Sequence, residues 1–138
     1  MEFSEIASIS GKSGLYKILK PGKSAVVLEA MDPSKTKIVA GATHRVSVLQ
    51  EISIYTTTKE GTIPLADVLR KINEQFGADL GIDSESDPKE LRAFLKSVLP
   101  EFDEQRVYVS DIKKLVKWYG ILLAEAPEIL QGSEKGKP

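Results

Sequence analysis

The hydrophobic pattern of this chain changes period once, near residue 60, and that switch governs what the chain can fold into. Before it, short runs rich in β-branched residues alternate apolar with polar positions, as in strands that bury one face. After it, apolar residues recur every three or four positions, as in helices with a single apolar stripe. Strands and helices are therefore segregated along the chain, which predicts an α+β protein rather than an interleaved parallel α/β sheet.

Four strands are predicted in the first part. Leu15 to Lys20 and Ala25 to Met31 flank Lys20-Pro21-Gly22-Lys23, whose Pro-Gly suits a type II turn, so the two form a hairpin. Lys37 to Ala40 follows the turn Asp32-Pro33-Ser34-Lys35, and Ile52 to Thr56 makes the fourth strand. Between these last two, Val46 and Leu49 stand three apart and predict one helical or 3-10 turn. That order is the order of a small SH3-like β-barrel, expected over residues 1–60.

Three helices are predicted over residues 61–130. Pro64 suits a first helical turn, and Leu65, Val68, Leu69, Ile72 and Phe76 form a stripe that Gly77 ends. Asp87-Pro88-Lys89-Glu90 supplies an N-cap, an N1 proline and a capping-box glutamate for a helix with Leu91, Phe94, Leu95, Val98 and Leu99 inward, stopped by Pro100. Ser110 is the expected cap of a third helix burying Ile112, Leu115, Val116, Tyr119, Leu122 and Leu123, limited by Pro127. Gly77 to Ser86 reads as a mobile surface loop, and residues 131–138 as a disordered tail.

With 138 residues, 41% of them hydrophobic, the chain can bury a core, and its net charge of -1 provides no global attraction to nucleic acid or membrane. The absence of cysteine and the single histidine exclude disulfide frameworks, thiolate nucleophiles and zinc signatures built on Cys and His spacing. Acidic residues at Glu2 and Glu5 are unlike the basic start of a secretory signal. The apolar stretch around Trp118 to Ala126 is far shorter than the roughly 20 residues of a membrane span. A cytoplasmic location with no membrane partner is the expectation.

Individual motifs resolve into local structure. Gly11-Lys12-Ser13 and Gly22-Lys23-Ser24 suggest phosphate loops, but the glycine that the full motif needs five residues earlier is Ile6 in one case and Lys17 in the other. Asp79, Asp83, Glu85 and Asp87 suggest a calcium loop, yet position six counted from Asp79 is Ser84 instead of glycine, so a solvated acidic loop is expected. His44 lacks an oriented acid or nucleophile partner in the pattern and is expected to hydrogen-bond within its own loop. No catalytic residue, metal or small-molecule cofactor is expected.

Charge is more informative. Between Gly11 and Gln50 seven basic residues face two acids, whereas from Asp79 to Glu104 eight acids face three bases. A basic strand region carrying Lys12, Lys17 and Arg45, with Tyr16 or Tyr55 exposed, has the means to bind RNA by phosphate contacts and stacking. The simpler role for these lysines is to keep edge strands from aggregating. In the third helix Trp118 lies with Lys114 on a strip beside the apolar stripe, while Lys113 and Lys117 stand one turn apart on another side. Trp118 is expected to widen the core face or to pack on the barrel and join the two halves; left exposed, it would be an interface anchor.

Several segments also resemble a known family. Ile9-Ser10-Gly11-Lys12 with Gly14-Leu15-Tyr16, His44-Arg45-Val46-Ser47, Ile52-Ser53-Ile54-Tyr55-Thr56, Asp87-Pro88-Lys89-Glu90-Leu91 and Arg106 to Lys114 are similar, in matching order, to an uncharacterised family of small Bacteroidetes proteins described only as a domain of unknown function. The resemblance runs from about Phe3 to Leu123. It implies a small N-terminal β domain followed by a helical C-terminal domain and carries over no activity or catalytic residue. It draws the eye to His44 to Ser47 and Arg106 to Asp111, although turn geometry and capping account for both.

The sequence thus predicts a non-enzymatic bacterial adaptor whose partner is another protein or a second copy, with Lys12, Lys17, His44, Arg45, Tyr55 and Trp118 as candidate binding residues. The alternative is an RNA- or ribosome-associated protein using the basic face of the barrel. A hydrolase assembled from distant carboxylates is a third reading.

Overall fold

Seven short strands precede three helices in the computed structural model, which describes residues 2–12, 14–20, 25–41 and 44–130. Five strands form one antiparallel sheet: β1 (Ile6–Ile9), β2 (Tyr16–Lys20), β3 (Val26–Ala30), β4 (Lys37–Ala40) and β5 (Val46–Val48), in the order β4-β3-β2-β1-β5. The expected hairpin is the β2–β3 pair, in which Tyr16 faces Ala30 and Ile18 faces Leu28. Its Pro-Gly turn lies outside the described residues, as does the tail from residue 131.

The N-terminal unit is not a closed SH3-like barrel. Among the described residues β4 and β5 are the two edges of the sheet and share no ladder. The strand expected to continue the barrel, β6 (Ser53–Tyr55), instead pairs with β7 (Thr62–Pro64) in a separate hairpin. Gly61, at φ +81°, lets the chain turn sharply so that its carbonyl accepts the Thr56 N–H at 2.9 Å. This hairpin also bonds away from the sheet: the Thr57 N–H donates to the Glu101 carbonyl at 2.8 Å and the Asp103 N–H to the Tyr55 carbonyl at 2.9 Å.

Alternation divides the sheet into two faces with different cover. Ile9, Tyr16, Leu28, Ala30 and Ala40 are buried on one face, with Ile18, Val26, Ile38 and Val46 packed against them. All nine come from the five strands, so the sheet covers this small core with its own side chains. On the other face Ile6 is fully buried and belongs to the main core, which joins Phe3, Leu15, Met31 and Leu49 to the apolar stripes of all three helices. The two periodic halves of the sequence share one continuous core.

The helices lie close to their sequence positions. Helix α1 (Leu65–Phe76) buries Leu65, Val68, Leu69 and Ile72 and ends at Gly77 with φ +62°. Helix α2 (Pro88–Val98) has Asp87 at its N-cap, whose N–H donates to Glu90 Oε1 at 3.2 Å. Helix α3 (Val109–Glu125) starts one residue before the expected cap: Tyr108 is the N-cap, and its N–H donates to Asp111 Oδ2 at 2.9 Å while Ser110 lies inside the first turn. The predicted turn over Val46 and Leu49 is split. Val46 belongs to β5, and the 3-10 turn occupies Leu49–Glu51.

A basic cleft and an aromatic cleft between the sheet and helix α3

Two clefts open where the sheet meets α3. Pairing sets their floor: β1 and β5 run antiparallel with Ser8 opposite Ser47. Strand alternation puts both serines on the face that carries Ile6, toward the helices. No hydrogen bond among the described residues takes either serine hydroxyl. Helical spacing then brings Lys114 and Trp118, four residues apart, onto one strip of α3 above this pair. Ser8, Ser47, Lys114 and Trp118 line both clefts and mark the boundary between them.

The larger cleft, about 560 Å³, is basic. Lys12 and Arg45 approach from the strand side, and Lys113, Lys114 and Lys117 from α3, against the single carboxylate of Glu85. The β1 end is held by local backbone bonds, the Lys12 N–H to the Ile9 carbonyl at 3.0 Å and the Ser10 N–H to the Arg45 carbonyl at 2.9 Å. None of the five cations has a carboxylate within 4 Å among the described residues. Five cations gathered around one carboxylate repel one another, and an anionic ligand relieves that repulsion.

The smaller cleft, about 320 Å³, has aromatic and aliphatic walls that also carry Ser53, Arg106, Asp111 and Lys114. Ile52, Ile54, Leu95 and Leu115 form much of its lining, with Tyr55 and Trp118 as its aromatic members. The Arg106 guanidinium sits 5.3 Å from the centre of the Tyr55 ring, and its Nε lies 3.8 Å from Asp103 Oδ2. Tyr55 remains 48% exposed.

The candidate residues are thus divided. Lys12, Arg45 and Trp118 converge on the basic cleft, and Tyr55 and Trp118 on the aromatic one. Trp118 is half-buried and packs against the main core while lining both openings, so it stands at the junction of the two halves. Lys17 lines neither cleft; it is in register with Ile6 and with Glu29, which Lys37 approaches to 3.7 Å. His44 holds its own loop, its Nδ1 accepting the Gly41 N–H at 3.3 Å. The acidic loop is likewise self-bonded: Asp83 Oδ1 accepts the Glu85 N–H at 2.8 Å and Asp79 Oδ1 the Gly81 N–H at 3.0 Å. No group of three or more metal-ligating side chains occurs among the described residues.

Sequence reasoning missed Ser8 and the alignment of Lys113 and Lys117 with Lys12 and Arg45, and reached Ser47 only through the resemblance. The signal available was that neither Lys113 nor Lys117 has an acid three or four residues away, although exposed helical lysines are commonly paired that way.

Comparison with known proteins follows the same division of the chain. Residues 3–49 match the family model described as domain of unknown function DUF5606, and residues 52–122 match domain of unknown function DUF6852. The chain belongs to the DUF6852 family. A solution NMR structure of a protein from Bacteroides vulgatus, a structural-genomics target, is 34% identical and superposes with a TM-score of 0.66 over 91% of this chain and 88% of that one. A search of curated proteins finds no match. The resemblance read from the sequence is thereby shown, as is its layout of an N-terminal β unit and a C-terminal helical one. His44 to Ser47 and Arg106 to Asp111, the segments that resemblance singled out, supply Arg45 and Ser47, and Arg106, Val107 and Asp111, to the two clefts. Among the described residues no helix is long and apolar enough to cross a membrane.

Proposed function

We propose that this protein is a non-enzymatic bacterial binding module, acting in the cytoplasm, that takes single-stranded RNA into the basic cleft between its sheet and α3. The observation that carries this reading is the convergence of Lys12, Arg45, Lys113, Lys114 and Lys117, all without carboxylate partners among the described residues, beside the half-buried Trp118. A charged groove that follows the backbone, together with an aromatic ring for a base, is the combination single-strand binders use. Duplexes present their bases stacked and paired, so a cleft with an indole in its lining favours an unpaired strand.

A protein partner is supported by a different surface. Val39, 64% exposed, faces the half-buried Val27 across the β3–β4 ladder, and Leu19 is also exposed. The adaptor reading rested on an apolar patch around Trp118. Trp118 borders both clefts, and the excess of cations on one side of it supports RNA over a protein partner there.

Trp118 is the sole tryptophan of the chain and reports on the cleft directly. Titration with a single-stranded RNA of mixed sequence is expected to quench its fluorescence, and added salt to restore it. A protein whose emission and mobility are unchanged by excess RNA at low salt does not use this cleft for RNA.

A further inference from the structure

The aromatic cleft adjoins the basic one and has a different chemistry. We infer that the two form one continuous site, in which the aromatic cleft captures a single unstacked base while the basic cleft holds the phosphates on either side of it. This rests on the RNA reading above and adds the part of the ligand that the basic cleft does not address.

Three observations carry it. First, Ser8, Ser47, Lys114 and Trp118 line both openings, so one ligand can pass from one to the other without crossing a ridge of buried core. Second, the cations are concentrated at one opening and Tyr55 lies at the other. Among the described residues five cations line the basic side, whereas Tyr55 and Trp118, with Ile52, Ile54, Leu95 and Leu115, line the other together with Arg106, Lys114 and Asp111. The aromatic cleft, about 320 Å³, lies at the small end of the roughly 300–1,000 Å³ typical of ligand pockets, which is room for one base. Third, uncommitted polar groups sit at the boundary. The paired hydroxyls of Ser8 and Ser47 have no partner among the described residues, and a hydroxyl can both donate to a phosphate or ribose oxygen and accept from a 2′-OH.

The base would rest among Tyr55, Trp118 and Arg106, which all line the cleft; the Arg106 guanidinium, 5.3 Å from the centre of the Tyr55 ring, adds a cationic plane on which a base can stack. The Asp103 carboxylate near Arg106 restrains the guanidinium in that position.

The test compares a single-stranded RNA of eight nucleotides with an oligonucleotide of equal length and charge whose central positions are abasic. Direct titration is used for the full chain and for Tyr55→Ala and Lys117→Gln. Tyr55 is exposed and belongs to the aromatic cleft only, and Lys117 to the basic cleft only, so both variants should fold. The natural strand is expected to bind about five- to a hundred-fold more tightly than the abasic one, the range of a base stacked on an aromatic ring. Tyr55→Ala should shrink that ratio while leaving abasic binding unchanged; Lys117→Gln should weaken both strands alike and preserve the ratio. Equal affinity for the two strands would overturn the base subsite while leaving the basic cleft as an RNA site. Failure of both strands to bind would overturn the RNA reading itself.

Discussion

Removing two lysines from α3 should change the salt dependence of RNA binding by a calculable amount. A cation that neutralises a phosphate of a single strand adds about -0.7 to the slope of log affinity against log salt concentration. Five cations line the basic cleft. If each holds one phosphate the slope is about -3.5, and affinity falls roughly 130-fold between about 50 and 200 mM salt. Lys113→Gln combined with Lys117→Gln leaves three contacts, a slope of about -2.1 and a loss of roughly 18-fold over the same interval. Both lysines are exposed and without carboxylate partners among the described residues, so fold and stability should not change. Fluorescence anisotropy of a labelled eight-nucleotide RNA, measured at several salt concentrations, yields both slopes. Lys96→Gln is the control, because Lys96 pairs with Glu104 at 3.2 Å and lines neither cleft. A double variant with the slope of the unmodified protein, or a control that loses as much slope, would refute the assignment of phosphates to this cleft.

Glu85 is the one carboxylate lining the basic cleft among the described residues, so Glu85→Gln should tighten RNA binding a few-fold at low salt, an advantage that disappears as salt is raised. Ile6→Ala removes a fully buried side chain from the core shared by sheet and helices; it should cost about 2–5 kcal/mol and lower the unfolding midpoint of strand and helix signals together in circular dichroism and NMR. The Tyr119 hydroxyl donates to the Gly77 carbonyl, with Asn73 Oδ1 3.2 Å away as a second acceptor, so Tyr119→Phe should cost about 1–3 kcal/mol in urea unfolding at neutral pH. Burial raises the Tyr119 phenol above its usual range, which means that the folded state holds its proton more tightly than the unfolded chain. This contribution is complete below the unfolded value of about 10 and is lost as pH rises through the folded one. The stability difference between native and Phe variants should therefore narrow in alkali, and a difference that widened there would contradict the assignment.

Legibility followed the range of the interactions. The stripe Leu91, Phe94, Leu95, Val98 and Leu99 is wholly buried, as its spacing predicts, because a helix satisfies its backbone locally and its apolar face is fixed by 3.6-residue geometry. The β2–β3 hairpin was equally legible, since its strands are neighbours in sequence. Strands β1, β5 and β7 were not. Each has only three or four residues, too few for alternation to stand out, and β1 finds β5 about 40 residues away. Val46 and Leu49 show the ambiguity directly: three-residue spacing suggested one helical turn, yet Val46 pairs with Ile9 in the sheet and only Leu49 enters the 3-10 turn.

The candidate site was legible as residues but not as a place. Lys12, Arg45, Tyr55 and Trp118 were recognisable from charge and aromatic character, whereas Lys17 carried the same signal and lines neither cleft because its register sets it beside Ile6 and Glu29. Nothing local distinguishes Lys12 from Lys17.

The sequence by itself determined the segregation of strands and helices, the helix limits near Gly77, Pro100 and Pro127, and the apolar stripes, because caps, turns and periodicity act within a few residues. Only the tertiary structure decided that the sheet stays open, that Thr56 turns back toward β7 and that one core joins both halves. It also decided that Ser8, Ser47, Arg45 and α3 meet at the same two openings. Strand pairing and helix docking bring together residues far apart in the chain, and the net burial of the whole molecule selects among arrangements that local patterns leave equal.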